Sequence, residues 1–279
     1  MKSMAIYHAN CSDGAAAAAC FYKYMGDELE YIPAHHNTAP PDVRGRVVYL
    51  LDFSYPKDII EEMLKYARMI IVIDHHENAV NAIMEINSPS LRVFFDKDKS
   101  GAVLAWEWLQ KYTGENSSTP RFLLHVQDRD LWKLELPGTR EIMESAFIDG
   151  VTIENFVKLI DRDDAQLDQM HRQGSVLLKK IKRDVDLIIK LGLRRCMIGD
   201  WDVPLVNAPP MFASDIGHTI SENEPFAATY FDTRSSRLFS LRSRPDGHDV
   251  SEVARRFGGN GHKHAAGFKV SRRHDLGKV

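Results

Sequence analysis

The stretch Met69-Ile70-Ile71-Val72-Ile73-Asp74-His75-His76 runs five apolar residues straight into a carboxylate and two imidazoles. It is too short for a helix, apolar on both faces and rich in β-branched residues, which is the pattern of a strand buried in a parallel sheet. Two similar runs lie upstream: residues 47–51 lead into Asp52, and residues 4–7 lead into His8. Between and after them, residues 15–25, 57–67 and 101–112 read as helices. Strands alternating with helices make βαβ units, so the first half is expected to fold as a mostly parallel sheet flanked by helices. Open sheets of this kind gather ligands beyond the carboxyl ends of their strands. His8, Asp52 and Asp74 are therefore expected on one rim.

Further along, the pattern changes. Leu167, Met170, Gly174, Leu177, Ile181, Val185 and Ile188 recur at three- and four-residue intervals, one apolar stripe on a long helix. After it, residues 195–198, 203–206, 227–231 and 238–242 read as short strands, with a helix over 249–257 capped by Asp249 or Ser251. The 279 residues are thus expected to form an α/β protein in three parts. These are a metal-binding domain over 1–150, a helical connector over 151–192, and a smaller α/β domain over 193–279 that binds phosphate or substrate.

Composition narrows the function. With 44% hydrophobic and 27% charged residues the chain is an ordinary globular protein, which sets aside disordered and fibrous classes. A net charge of -3 argues against a broad phosphate-neutralising surface, so long duplex nucleic acid is not an expected partner. Three scattered cysteines make no disulfide framework and fit a reducing cytoplasm. No secretory pattern opens the sequence, and no apolar run approaches the ~18 residues that a membrane span needs.

The chemistry concentrates in four segments. Asp74-His75-His76 offers an acid and two imidazoles suited to a divalent ion such as Mn, Fe or Zn. A His-His pair alone is weak evidence, since His35-His36 also occurs, in what reads as a solvated loop. His8-Ala9-Asn10-Cys11-Ser12-Asp13-Gly14 comes off the first strand and turns into a small-residue helix; Ser12 or Asp13 could equally be a plain helix cap. Gln127-Asp128-Arg129-Asp130 places two acids after an apolar run, with Asp128 the stronger candidate for the site. Near the end, residues 257–268 read FGGNGHKHAAGF, where three glycines could open backbone amides toward an anion beside His262, Lys263 and His264. Arg242 or Arg244, whichever faces the ligand, could grip a phosphate.

As a group these segments resemble the DHH phosphoesterase superfamily, in its two-domain form with the DHH-associated C-terminal domain. HANCSDG, Asp52, the DHH triplet, SGAVLAW over 100–106, QDRDLW and GGNGHKHAAGF stand in the family's order over nearly the whole chain. The resemblance implies two Mn²⁺ ions, with Co²⁺ or Mg²⁺ as substitutes. Asp52 would bridge them, His8 would serve one ion, and Asp13, His75 and Asp128 would serve the other. His76 would face the substrate phosphate, with Asp74 supporting a histidine. Arg242, His262 and His264 would hold phosphate, with Gly259, Gly261 and Gly267 permitting close approach. One departure stands out: the family commonly has a further Asp in the first motif, where this chain has Asn10 and Ser12. The implied activity is hydrolysis of short oligonucleotides or linear dinucleotides to nucleoside monophosphates by metal-activated water. The alternatives are a phosphoanhydride or phosphomonoester hydrolase, or a nucleotide-binding regulator with weak turnover.

Overall fold

The apolar run at the start of the chain becomes β1 (Ser3–His8), and its neighbours follow as β2 (Leu29–Ala34), β3 (Val47–Leu51), β4 (Met69–Asp74) and β5 (Leu91–Phe95). All four pairings are parallel, in the order β2-β1-β3-β4-β5. The computed structural model describes residues 2–35 and 38–276, apart from the side chain of Asn78. His36, the second member of the pair at 35–36, lies outside the described residues.

Side chains alternate across this sheet, and both sides are apolar. Met4, Ile6, Val48, Leu50, Ile70 and Val72 form a core with Ile60 and Met63 of α2 (Lys57–Leu64) and Ile83 of α3 (Glu77–Met84). Ala5, Tyr49, Leu51, Ile71 and Ile73 face the other way, onto α1 (Ser12–Met25), α4 (Gly101–Thr113) and α5 (Arg121–Asp130). Helix α1 is buried over Asp13–Phe21 because it lies between α4 and α7 (Ile153–Ile160), and its run of alanines lets these helices approach closely. Phe21, Phe122 and Phe156 are fully buried there, each stabilising by about 1.5–3 kcal/mol.

The chain divides into two compact units, Met1–Leu178 and Lys179–Val279. The first thus extends past the boundary near 150 read from the sequence, because Ile153, Phe156, Leu159 and Ile160 of α7 complete its core. Helix α6 (Thr139–Ala146) precedes α7, and α8 (Asp164–Gly192) follows it. Leu167 and Met170 of α8 belong to the first core, whereas Val185 packs with Val206, Ala208 and Ile216. Between Gly174 and Val185 no residue of α8 is buried, and that stretch carries the pairs Lys180–Asp184 and Lys182–Asp186.

The second unit holds β6 (Arg194–Ile198), β7 (Trp201–Asn207), α9 (Ala213–Ile220), β8 (Ala227–Asp232), β9 (Ser236–Arg242), α10 (Val250–Arg256), β10 (Asn260–His262) and β11 (Ala265–Ser271). Its sheet runs β10-β11-β9-β8-β7-β6; β7 and β8 are parallel and the other pairs antiparallel. Asp249 caps α10 by accepting from the Ser251 amide at 2.9 Å. Among the described residues no helix is long and apolar enough to cross a membrane.

Candidate metal centre

The strand order reverses between β1 and β3, and at such a switch point the loops leaving the two strands diverge and open a crevice. His8 ends β1, and Asp52 directly follows β3. Asp52 holds a left-handed backbone, φ 52°, with its amide tied to the Ile73 carbonyl at 3.0 Å. That conformation is uncommon outside glycine and is tolerated by Asp and Asn. The carboxylate is 1% exposed, and among the described residues neither of its oxygens has a hydrogen-bond partner. Oδ1 lies 3.3 Å from His75 Nε2 and Oδ2 lies 3.5 Å from His8 Nδ1, so its two oxygens face different imidazoles.

Asp13, in the first turn of α1, comes to the same place from below. Its oxygens accept from the amides of Gly101, at 2.5 Å, and Ala102, at 3.0 Å, the free N-terminal donors of α4. Oδ2 stands 4.0 Å from His75 Nε2. Two glycines are required by this closeness. A Cβ on Gly14 would sit 2.4 Å from the His8 carbonyl, and one on Gly101 would sit 2.5 Å from the Asp52 Cβ and 2.9 Å from Asp13 Oδ2.

Asp74 is hydrogen-bonded to the two histidines that follow it. One oxygen accepts from the His75 amide at 2.8 Å and pairs with His76 Nδ1 at 2.7 Å, leaving Nε2 as the outward ring nitrogen of His76. Burial opposes charge on His76, but Asp74 and Asp52 outweigh it and raise its pKa to about 9. His75 is likewise raised, burial opposing and Asp52 and Asp130 favouring its charged form.

The acid on α5 is a correction. Asp128 does not join the cluster: its carboxylate accepts from the amides of Glu135 and Leu136, at 2.9 and 3.1 Å, and from the Thr139 hydroxyl at 2.6 Å, closing the turn into α6. Asp130 takes its place, with Oδ2 3.4 Å from His75 Nε2. Residues two apart on a helix point in nearly opposite directions, so one of the two acids must face away from the rim.

Among the described residues three groups result, each with donor atoms within 4.8 Å of one another: Asp13, His75 and Asp130; His8, Cys11 and Asp52; and Asp52, Asp74, His75 and His76. Burial and neighbouring carboxylates push Asp13 well up and Asp130 to about 6. Burial disfavours ionised Asp52 too, yet the imidazoles of His75 and His8 hold it well below the usual carboxylate range. Crowded buried acids and imidazoles with unsatisfied oxygens are the environment that divalent cations relieve. The donor set fits a divalent ion.

The C-terminal candidates lie in the second unit and have a different character. The amides of Gly258 and Gly259 are donated to the Arg255 and Ala254 carbonyls, ending α10, so they do not line an anion cradle as the sequence suggested. Gly259 and Gly261 allow β10 to press on β11: a Cβ would fall 2.1 Å from the Gly267 carbonyl oxygen in the first case and 2.4 Å from Ala266 Cα in the second. Gly267 similarly lies against the Phe239 carbonyl. His262 ends β10 and is exposed, and His264 Nδ1 is 3.0 Å from the Ser243 hydroxyl. Arg242 and Arg244 both turn toward α9. Arg242 donates to the Ser214 hydroxyl at 2.9 Å and to the Leu241 carbonyl at 2.8 Å, and Arg244 lies 3.1 Å from His218 Nε2.

No protein-family model matches the sequence. The uncharacterized protein R106 of Acanthamoeba polyphaga mimivirus is 29% identical over 293 residues, covering 95% of this chain and 67% of the relative. Among solved structures, the pGpG-specific phosphodiesterase PggH of Vibrio cholerae aligns over 97% of this chain and 94% of its own, with TM-score 0.55 and 12% identity. RecJ of Thermus thermophilus, solved in complex with Mn²⁺, aligns over 96% of this chain and 49% of its own, with TM-score 0.55 and 14% identity. The chain has the DHH phosphoesterase fold. Within that fold the triplet Asp74-His75-His76 starts at the last residue of β4, and the residues gathered around it come from β1, α1, α5 and the positions just after β1 and β3.

Proposed function

We propose that the protein is a divalent-metal-dependent phosphoesterase that hydrolyses phosphodiester bonds in short oligonucleotides or linear dinucleotides, releasing nucleoside monophosphates. The observation that carries this is Asp52: a buried carboxylate with neither oxygen hydrogen-bonded among the described residues, each turned to a different imidazole, at the switch point of the sheet. His75, Asp13 and Asp130 would hold one ion and His8 the other, with Asp52 between them. Manganese is the ion we infer, supported by its presence in the RecJ structure. When bound, such ions lower the pKa of a coordinated water and neutralise charge on phosphate oxygens. His76, oriented by Asp74, would face a phosphate oxygen.

The substrate reading draws support from a net charge of -3, which suits a short anion better than a long polyanion, and from the PggH neighbour, named for a linear dinucleotide. Stripping metal with EDTA is expected to silence hydrolysis and Mn²⁺ to restore it. Asp52→Asn keeps the left-handed backbone and is expected to lose metal binding and hydrolysis together while remaining folded. Wild-type turnover in that variant would refute the role given to Asp52. A panel of a 5′-pNpN dinucleotide, a nucleoside bisphosphate and polyphosphate tests the substrate. Preference for either of the latter two would overturn the diester reading and leave the metal chemistry in place.

A further inference from the structure

Cys11 sits between β1 and α1 at the N-cap of the helix, with extended backbone, φ -111° and ψ 132°. Helices recruit Ser, Thr, Asp or Asn to this position for a side-chain oxygen, and sulfur is a weak acceptor, so capping gives no reason for a cysteine. Its neighbours do not share its position: Asn10 is exposed in a left-handed conformation, and Ser12 begins the helix. Cys11 Sγ instead falls with a ring nitrogen of His8 and an oxygen of Asp52, all within 4.8 Å of one another. The backbone that presents it is fixed. The Cys11 carbonyl accepts from the Ala15 amide at 3.0 Å, and Gly14 brings the first turn against the His8 carbonyl, where no Cβ fits.

We propose that Cys11 is a thiolate ligand, with His8 and Asp52, of the ion at the β1 end of the cluster. This rests on the metal-dependent reading above and adds to it a chemical difference between the two positions. Sulfur, imidazole and one carboxylate oxygen form a soft, nitrogen- and sulfur-containing set, favouring zinc or cobalt over manganese or magnesium. Asp13, Asp130 and His75 offer mostly oxygen and favour the harder ions. Binding at Cys11 forms a sulfur–metal bond as the S–H bond breaks and its proton passes to solvent, with no electron transfer.

The test uses the whole protein, stripped of metal and titrated with Co²⁺ while absorption is followed. The wild type is expected to develop thiolate-to-cobalt charge-transfer absorption in the near ultraviolet together with the visible bands of bound cobalt. Cys11→Ser and Cys11→Asp should keep the visible bands and lose the charge-transfer absorption, whereas Cys20→Ser and Cys196→Ser keep both. In zinc–manganese competition, Cys11→Asp should reduce the preference for zinc by roughly tenfold or more, since even changes around the ligands act on that scale. Bound cobalt with no charge-transfer absorption, or absorption that survives in Cys11→Ser, would overturn the thiolate ligand and leave the metal cluster standing. A wild type that takes up no cobalt would overturn both.

Discussion

At the scale of single residues, the site separates acids that hold the fold from acids that hold charge at the rim. Asp128 and Asp130 are two positions apart and differ completely in surroundings: Asp128 receives three hydrogen bonds, and Asp130 faces His75 and the other carboxylates. Asp128→Asn is expected to lower stability by about 1–3 kcal/mol, read as a fall in melting temperature, with metal content retained. Asp130→Asn should do the reverse, losing metal in an equilibrium dialysis assay while the metal-free protein melts no lower. If Asp128→Asn loses metal and melts normally, the assignment is inverted. His8, Asp13, Asp52 and His75 were legible because each follows directly from a strand end or opens the helix after it. The choice between the α5 acids was not legible, because it depends on the rotation of the helix and on the turn toward Thr139, eleven positions further on. Cys11 escaped notice for another reason: scattered thiols carry no pattern until the chain closes around them.

At the scale of elements, the glycines show where helices and strands meet too closely for a side chain. Gly101→Ala drives a methyl into Asp52 and Asp13, and Gly174→Ala drives one to 1.7 Å from the Glu141 carbonyl oxygen, where α8 crosses α6. Both overpack and should destabilise by about 1–3 kcal/mol or more. They should part in metal affinity, with Gly101→Ala weakening Mn²⁺ binding and folded Gly174→Ala binding it as the wild type does; calorimetric titration distinguishes them. The alternation of β1, β3 and β4 with their helices could be read from the sequence because apolar runs of five or six residues have one interpretation between turns. Helices α6 and α7 were hidden, since eight-residue segments give too few turns to establish a period. Gly174, read as one place in an apolar stripe, is a crossing point that only the neighbouring helix reveals. The C-terminal glycines misled for a related reason: a cradle for an anion and a tightly packed hairpin ask for the same residue.

At the scale of the whole molecule, two cores of different make-up suggest two separable melting events. Phe239 is buried in the second unit among Tyr230, Leu241 and Phe268. Phe239→Ala should lower that unit's transition by about 3–5 kcal/mol and leave the first unit's metal-dependent transition in place, as scanning calorimetry would show. A single transition shifting as one would contradict this independence. The sequence, with its change of period near Gln166, reads as three parts, whereas the compact units are two and the division falls within α8. The exposed middle of that helix has a practical consequence. No residue of 175–184 is itself buried, Ile181 packs only partly against the Val185 cluster, the ion pairs lie at the surface, and Lys179, Lys180, Lys182 and Arg183 are clustered there. Brief digestion with trypsin should therefore nick the native chain first at this seam, yielding two fragments whose mass spectra meet between 179 and 183.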